Sequence, residues 1–388
     1  LGRFFAPRQG RNSRYRRTRL SGAQVATRTA VLDVMGAQLR QAGDGPLLVW
    51  AAGHGDLGDK PAANGVLLWA GGRLTPEDVS DLLAGQGLRR TLSLIMTTCY
   101  SGGFAELVFA GADAKAGPAR VLSCGLFASP WDLESSGCDA DPERRHHQGY
   151  ARHFLPGLRG LGLDGGVLPR AEIDFDGDGR ISLSEAHARV RIASESADVP
   201  TSTSERWLRH AAPDSGNITP LSIPEEDAVI AHLAARLRLP VEELDRPGEL
   251  ARRESAQEEA GAAVERVRVD EDAAWHELAA DLLGRWPTLD DPWHPDFDAT
   301  LRRDGGAISA RLDASPLMHR FEATSAVTDA ANRLLDQERI GAALAERLER
   351  AIDNRILAAR LQAAGGSKWL RWQALLRCER RVPNLRPN

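Results

Sequence analysis

Apolar runs are short throughout this 388-residue chain. None approaches the ~20 residues that a membrane-spanning helix needs, so no membrane partner is expected. Cysteine is scarce. Cys99, Cys124, Cys138 and Cys378 are irregularly spaced and no CxxC pair occurs, which argues against a zinc ribbon and against a disulfide framework. Sparse, scattered thiols predict a reducing, cytoplasmic setting. A basic excess is also missing. Lys and Arg number 49 against 54 Asp and Glu, a formal net charge of −5, and nucleic acid is not an expected partner. Locally it is acid that is lacking: residues 1–32 hold eight Arg and no Asp or Glu. The run Arg11, Arg14, Arg16, Arg17, Arg19 suits a solvated loop, a protease-sensitive processing site or a docking patch for an acidic partner.

What remains is the composition of a folded chain, 42% hydrophobic and 27% charged, and its length suffices for two cores. Residues 23–123 alternate helix and strand signals. Gln24–Ala42 carries Val31, Val34, Met35 and Leu39 at helical spacing. Pro46–Ala52 is a short apolar run ending at Gly53, Val66–Trp69 a short strand, and Leu92–Met96 and Val121–Phe127 two further buried strands. Thr75, Pro76 and Asp78 mark a helix N-terminus. Strands separated by helices predict an α/β domain with a mainly parallel sheet, and reactive residues in such sheets collect at the carboxyl ends of strands. Residues 211–226, rich in Pro, Ser and Gly, read as a linker. Residues 227–388 read as a mostly helical C-terminal domain. Its long helix Arg333–Ala363 has Ile340, Leu344, Leu348, Ile352 and Ile356 on one stripe, expected to pack on its own domain or on a partner.

Two reactive side chains fall just after strands. A thiol is mostly protonated at neutral pH and needs a base to attack an amide, and imidazole is suited to that task. His54 sits in Gly53–His54–Gly55, and Cys99 in Thr98-Cys99-Tyr100-Ser101-Gly102-Gly103, ahead of a helical signal at Ala105–Phe109. His54 is expected as general acid–base and Cys99 as nucleophile, with the backbone N–H groups of Cys99 and Gly55 facing the developing oxyanion. Each half alone is weak, since a lone cysteine after an apolar run is more often a buried small hydrophobe. His146 and His147 read as solvated, and His153, His187 and His210 as helix-surface or satisfied core residues.

Residues 174–185, DFDGDGRISLSE, follow the twelve-position pattern of an EF-hand calcium loop. Asp174, Asp176 and Asp178 take the first three ligand positions, Gly179 the sharp turn, and Arg180 offers its carbonyl. Ser182 acts through water and Glu185 is the bidentate ligand. Calcium is the expected cofactor. Helical pattern follows the loop but hardly precedes it, which predicts a lone calcium loop rather than a paired sensor, with a structural or a regulatory ion. An acidic surface turn is the alternative.

The segments LLVWAAGHG (47–55), NGVLLW (64–69), LIMTTCYSGGF (94–104), ESSGCD (134–139), SLSEAHARV (182–190) and VPTSTSERWL (199–208) resemble the caspase-like clan of cysteine peptidases, and within it the legumain-type enzymes and their bacterial relatives. The resemblance covers residues 24–210. It implies a caspase-like three-layer fold over residues 23–210, and amide hydrolysis through a thioester by Cys99 and His54. Its bacterial members also carry such a calcium loop. By analogy it implies a role in a signalling or defence cascade. Two departures stand out. The family's first core strand should precede the helix at 24–42, where only a basic segment, 1–22, is found. That piece is expected to have been cut away or to remain associated as a separate fragment, with an upstream activating protease as a partner. Many relatives also carry an acid two positions before the cysteine, where this chain has Thr97.

The implied substrate groove includes Trp131–Asp141. Asp132, Glu134, Asp139 and Asp141 could attract Arg or Lys at the cleavage site; an Asn or Asp preference of the legumain kind and a solvated acidic loop are the alternatives. The leading expectation is a calcium-stabilised or calcium-activated endopeptidase acting on protein substrates. A catalytically degenerate calcium-binding interaction module, working through the helical C-terminal region, is the competing one. Transpeptidation through the same thioester is a third.

Overall fold

The computed structural model describes residues 22–43, 45–137, 148–216, 219–239 and 246–383. The Arg-rich run, Cys138, Asp139, Asp141, His146 and His147 lie outside the described residues.

The sheet is built from its most apolar segments. Strand β5 (Leu92–Met96) is buried along its whole length, and so is β6 (Ser123–Phe127). Both pair in parallel, β5 with β1 (Leu47–Ala51) on one side and β6 on the other. Strand β7 (Thr201–Ser202) closes the order β1-β5-β6-β7 in antiparallel. Strand β1 is an edge strand on which Leu48 and Trp50 are exposed while Leu47, Val49 and Ala51 are partly covered. Alternation along β5 sends Leu92, Leu94 and Met96 to one face, packed with α1 (Arg28–Arg40) and α2 (Pro76–Ala84). Ile95 goes to the other face, against α3 (Tyr150–Leu158) and α4 (Leu183–Ala193). Each such Leu or Ile contributes roughly 2 kcal/mol by burial. The chain is thus α/β, with a mostly parallel four-stranded sheet covered by helices on both faces and a helical C-terminal region.

Helix α2 begins where its sequence marks it. Thr75 Oγ1 accepts from Asp78 N–H, and the Asp78 carboxylate accepts from Thr75 N–H. A second sheet of β2 (Gly55–Asp56), β3 (Gly65–Leu67) and β4 (Arg73–Leu74) runs antiparallel. Only β3 is foreshadowed by an apolar run; two-residue strands have no periodicity to read.

Three expectations need correction. First, the linker does not separate two domains. Beyond α5 (Thr203–Ala211), α6 (Pro224–Leu237) packs on α4 through Val229, Ile230 and Leu233, together with Leu344, Leu348 and Ile352 of α9 (Pro316–Ala364). Helix α10 (Gly366–Glu379) packs Trp372 and Leu375 with Trp207 and Leu208 of α5. One compact unit therefore contains Gln24–Ala251 and Ile340–Asn388. The stripe at 340–356 faces this unit because its apolar partners lie there. The second unit takes in Arg252–Arg339, from α7 (Arg246–Arg285), α8 (Phe297–Asp313) and α9. Its core is Leu278, Leu282, Trp286, Phe297, Ile308 and Leu312.

Second, Cys124 and Cys378 form a disulfide across 254 residues of sequence. Sequence spacing could not reveal it, because β6 and α10 meet only in the fold. Third, the argument for a reducing compartment fails at this pair, since structural disulfides persist in oxidising surroundings. No helix among the described residues is long and apolar enough to cross a membrane. Beside the disulfide, Glu379 accepts from Thr203 Oγ1, Ser204 N–H and Ser204 Oγ; burial pushes its carboxyl up to about 7 against those donors.

Closing so long a loop contributes about 5 kcal/mol in the chain-entropy account. Denatured, unreduced protein should therefore show two fewer reactive thiols than reduced protein, and Cys378→Ser should melt several degrees lower. Equal thiol counts, or an unchanged melting temperature, would contradict the pairing.

Candidate active site

Ala51 and Met96, the last residues of β1 and β5, are register partners. His54 follows the first by three residues and Cys99 follows the second by three, so both leave the sheet from one rung at its carboxyl edge. Thr97 N–H donates to Ala51 O at 2.9 Å and carries the pairing one step further.

The two turns then meet. The His54 carbonyl accepts from Leu67 N–H at 2.9 Å, which ties the turn to β3, and His54 itself is exposed. A Cβ on Gly55 would fall 2.0 Å from the Cys99 carbonyl oxygen and 3.1 Å from its nitrogen. Only glycine allows this approach, so the backbone beside the imidazole lies directly against the backbone of the thiol. Tyr100 has φ 58° and ψ 17°, left-handed for a bulky residue. Such backbone costs on the order of 1 kcal/mol or more and persists only when held. Here Asn64, 1% exposed, donates Nδ2–H to Tyr100 O at 3.0 Å and to Trp131 O at 2.6 Å. Tyr100 N–H donates to Leu133 O at 2.9 Å. The 3₁₀ helix Ser101–Val108 follows; the sequence signal for a helix began at Ala105.

Cys99 is half-buried. Its sulfur accepts from Ser135 N–H at 3.4 Å and lies 4.0 Å from Ser135 Oγ, while the Ser135 carbonyl stands 3.6 Å away. Ser135 Oγ also donates to Thr97 O at 3.2 Å. Ser135 was not singled out by sequence reasoning. It lies in the ESSGCD segment, but a serine in a polar loop carries no signal of its own.

The residues expected to select substrate divide. Thr97 directs its hydroxyl at Ala51 O, 3.5 Å away. Glu134 is exposed and accepts from Tyr100 OH at 3.1 Å. Asp132, also exposed, lines a cavity of about 410 Å³ with Trp131, Glu106, Glu205, Arg206 and Arg350. The two glutamates in its wall are already matched. Glu106 takes two bonds from Arg206, at 2.6 and 3.0 Å. Burial pushes Glu205 up, but Arg209, Arg350 and Arg191 outweigh it and hold the carboxyl at about 2. Of the other histidines, His187 is buried with Nδ1 2.7 Å from Tyr150 OH, and burial drives it down to about 3. Burial likewise takes His153 down to about 4. Both are satisfied core residues.

The acidic loop brings three of its expected ligands together. Carboxylate oxygens of Asp174, Asp176 and Glu185 lie within 4.8 Å of one another. The Asp174 side chain is 4% exposed, and its Oδ1 has no hydrogen-bond partner among the described residues. Clustered carboxylate oxygens of this kind could contribute donors to a hard cation. Asp178 is not in that cluster and accepts from Arg180 N–H at 2.7 Å. The Arg180 side chain is exposed. Ser182 is the N-cap of α4 and exchanges bonds with Glu185. Gly179 N–H donates to Asp174 Oδ2 at 3.1 Å and Arg170 pairs with the same oxygen at 2.7 Å.

A scan against protein-family models and a search of curated proteins each found no match to this chain.

Overpacking of this kind costs about 1–3 kcal/mol. Gly55→Ala should lower the melting temperature and slow alkylation of Cys99, because the new methyl group must push the Cys99 turn away. Wild-type stability together with wild-type alkylation would show that the two turns are not in contact.

Proposed function

We propose that this chain is a cysteine endopeptidase of caspase-like architecture that hydrolyses protein substrates through Cys99 and His54, with a calcium ion held at Asp174–Glu185. The observation that carries the reading is the shared rung: one parallel register sends an imidazole and a thiol off the same sheet edge, and Gly55 seals their turns together. The left-handed Tyr100 adds support, since strain of this sort collects at functional sites. So does the covering of both sheet faces by helices.

In this reading the Cys99 sulfur bonds to the scissile carbonyl carbon as its proton passes to His54. The carbonyl oxygen takes the negative charge, facing the N–H groups of Cys99 and Gly55. Collapse breaks the C–N bond, and the leaving amine takes the proton from His54. Water, giving a proton to His54, then attacks the thioester and releases the acid and the thiol. The exposed Asp132 and Glu134 remain the candidates for attracting a basic side chain. Asp139 and Asp141 belong to the same proposal from sequence alone. The expected Arg-rich processing site and the activating protease likewise rest on sequence alone.

Calcium would be held by Asp174, Asp176 and Glu185, with Asp178, the Arg180 carbonyl and Ser182 as further expected donors. Bound there, it would neutralise the clustered acids at the head of α4.

A peptide library should be cleaved by the wild type and not by Cys99→Ala, the loss exceeding about a hundredfold. Calcium should raise the melting temperature of both proteins but not of Asp174→Ala; at a hundred times Kd the gain is about 2.7 kcal/mol. Cleavage that survives Cys99→Ala would remove the peptidase reading, and a melting temperature indifferent to calcium would remove the metal.

A further inference from the structure

Arg347 of α9 is a fully buried guanidinium. It donates Nε–H to Asp198 O at 2.6 Å, and Nη1–H to the carbonyls of Arg191 and Ser194 at 3.2 and 3.0 Å. Nη2–H goes to Ser196 O at 2.7 Å. Three of these acceptors belong to the segment that joins α4 to β7, and the fourth, Arg191 O, lies in the last turn of α4. A buried cation without a paired carboxylate costs several kcal/mol unless hydrogen bonds satisfy it. Arg347 meets that cost by fixing the path of residues 191–198.

The segment so fixed carries Asp198, 1% exposed. Its Oδ1 accepts from Ser136 N–H at 2.5 Å. The next residue back in the chain, Ser135, gives its N–H to the Cys99 sulfur. A short contact between a buried carboxylate and a backbone N–H is charge-assisted, about twice as strong as its neutral counterpart. The positive charge of Arg347 also attracts the Asp198 carboxylate, whose second oxygen, Oδ2, has no hydrogen-bond partner among the described residues.

We propose that Asp198 is a positioning residue for the nucleophile: it anchors Ser136, and thereby holds the Ser135 N–H on the Cys99 sulfur, while Arg347 locks the segment that presents it. The role belongs to the peptidase reading of Cys99, but its test does not require turnover. Asparagine retains an acceptor for Ser136 without the charge; alanine removes both.

The test compares full-length wild type, Asp198→Asn and Asp198→Ala. Alkylation of Cys99 by iodoacetamide is followed by peptide mapping, and kcat and KM are measured on any peptide that the wild type cleaves. Alkylation should slow by about tenfold in Asp198→Ala and by about threefold in Asp198→Asn, in line with loss of the whole bond and of its charge-assisted part. The fall in kcat should follow the same order, with KM within about twofold. Wild-type alkylation rates in both variants would overturn the proposal. If Asp198→Ala fails to fold, Asp198→Asn decides alone, and a rate equal to wild type overturns it. If the wild type alkylates but cleaves nothing, the peptidase reading falls and the alkylation series still decides this one.

Discussion

Parallel pairing of β1 with β5 is the constraint on which the candidate site depends. A parallel register brings the carboxyl ends of two strands to one edge, and the Ala51–Met96 rung is where these two end. A slip of one residue would turn Leu92, Leu94 and Met96 away from their core. Burial of β5 on both faces therefore fixes the relative height of His54 and Cys99. The reactive turns inherit their alignment from hydrophobic packing several residues away.

A second layer of order is polar. Asn64 ties the left-handed turn at Tyr100 to the loop at Trp131. Ser135 bridges the sulfur and the Thr97 carbonyl. Arg347, Arg350 and Asn354 lie at helical spacing on α9 and are buried or nearly so, beside the apolar stripe of the same helix. Arg350 reaches Glu205 at 2.8 Å, and Asn354 reaches Glu226 at 3.2 Å. Ile340 onward is thus part of the unit that holds the candidate site, both through its apolar contacts and through groups that would be costly to leave unpaired.

Much of this arrangement could be read from residue order. The apolar runs at Leu47, Leu92 and Ser123 mark the parallel strands, Thr75 and Asp78 mark a capped helix, and the spacing of Asp174, Asp176 and Glu185 brings three carboxylates together. What stayed hidden depends on partners distant in sequence. Cys124 and Cys378 look unrelated until β6 meets α10. Arg347 is of a type found mostly on surfaces, and acceptors from residues 191–198 make its burial tolerable. Ser135 and Asp198 carry no motif. The boundary expected at 211–226 failed for the same reason, since Pro and Ser mark a turn of the chain but not which core the next helix joins.

The proposed chemistry requires the imidazole of His54 and the sulfur of Cys99 to share one cleft. A short bifunctional alkylating agent such as 1,3-dibromoacetone tests it directly in the folded wild type, followed by proteolysis and mass mapping. A single cross-linked species should form, joining the peptide that contains His54 to the peptide that contains Cys99. Alkylation of Cys99 alone, with the His54 peptide recovered unmodified, would contradict it.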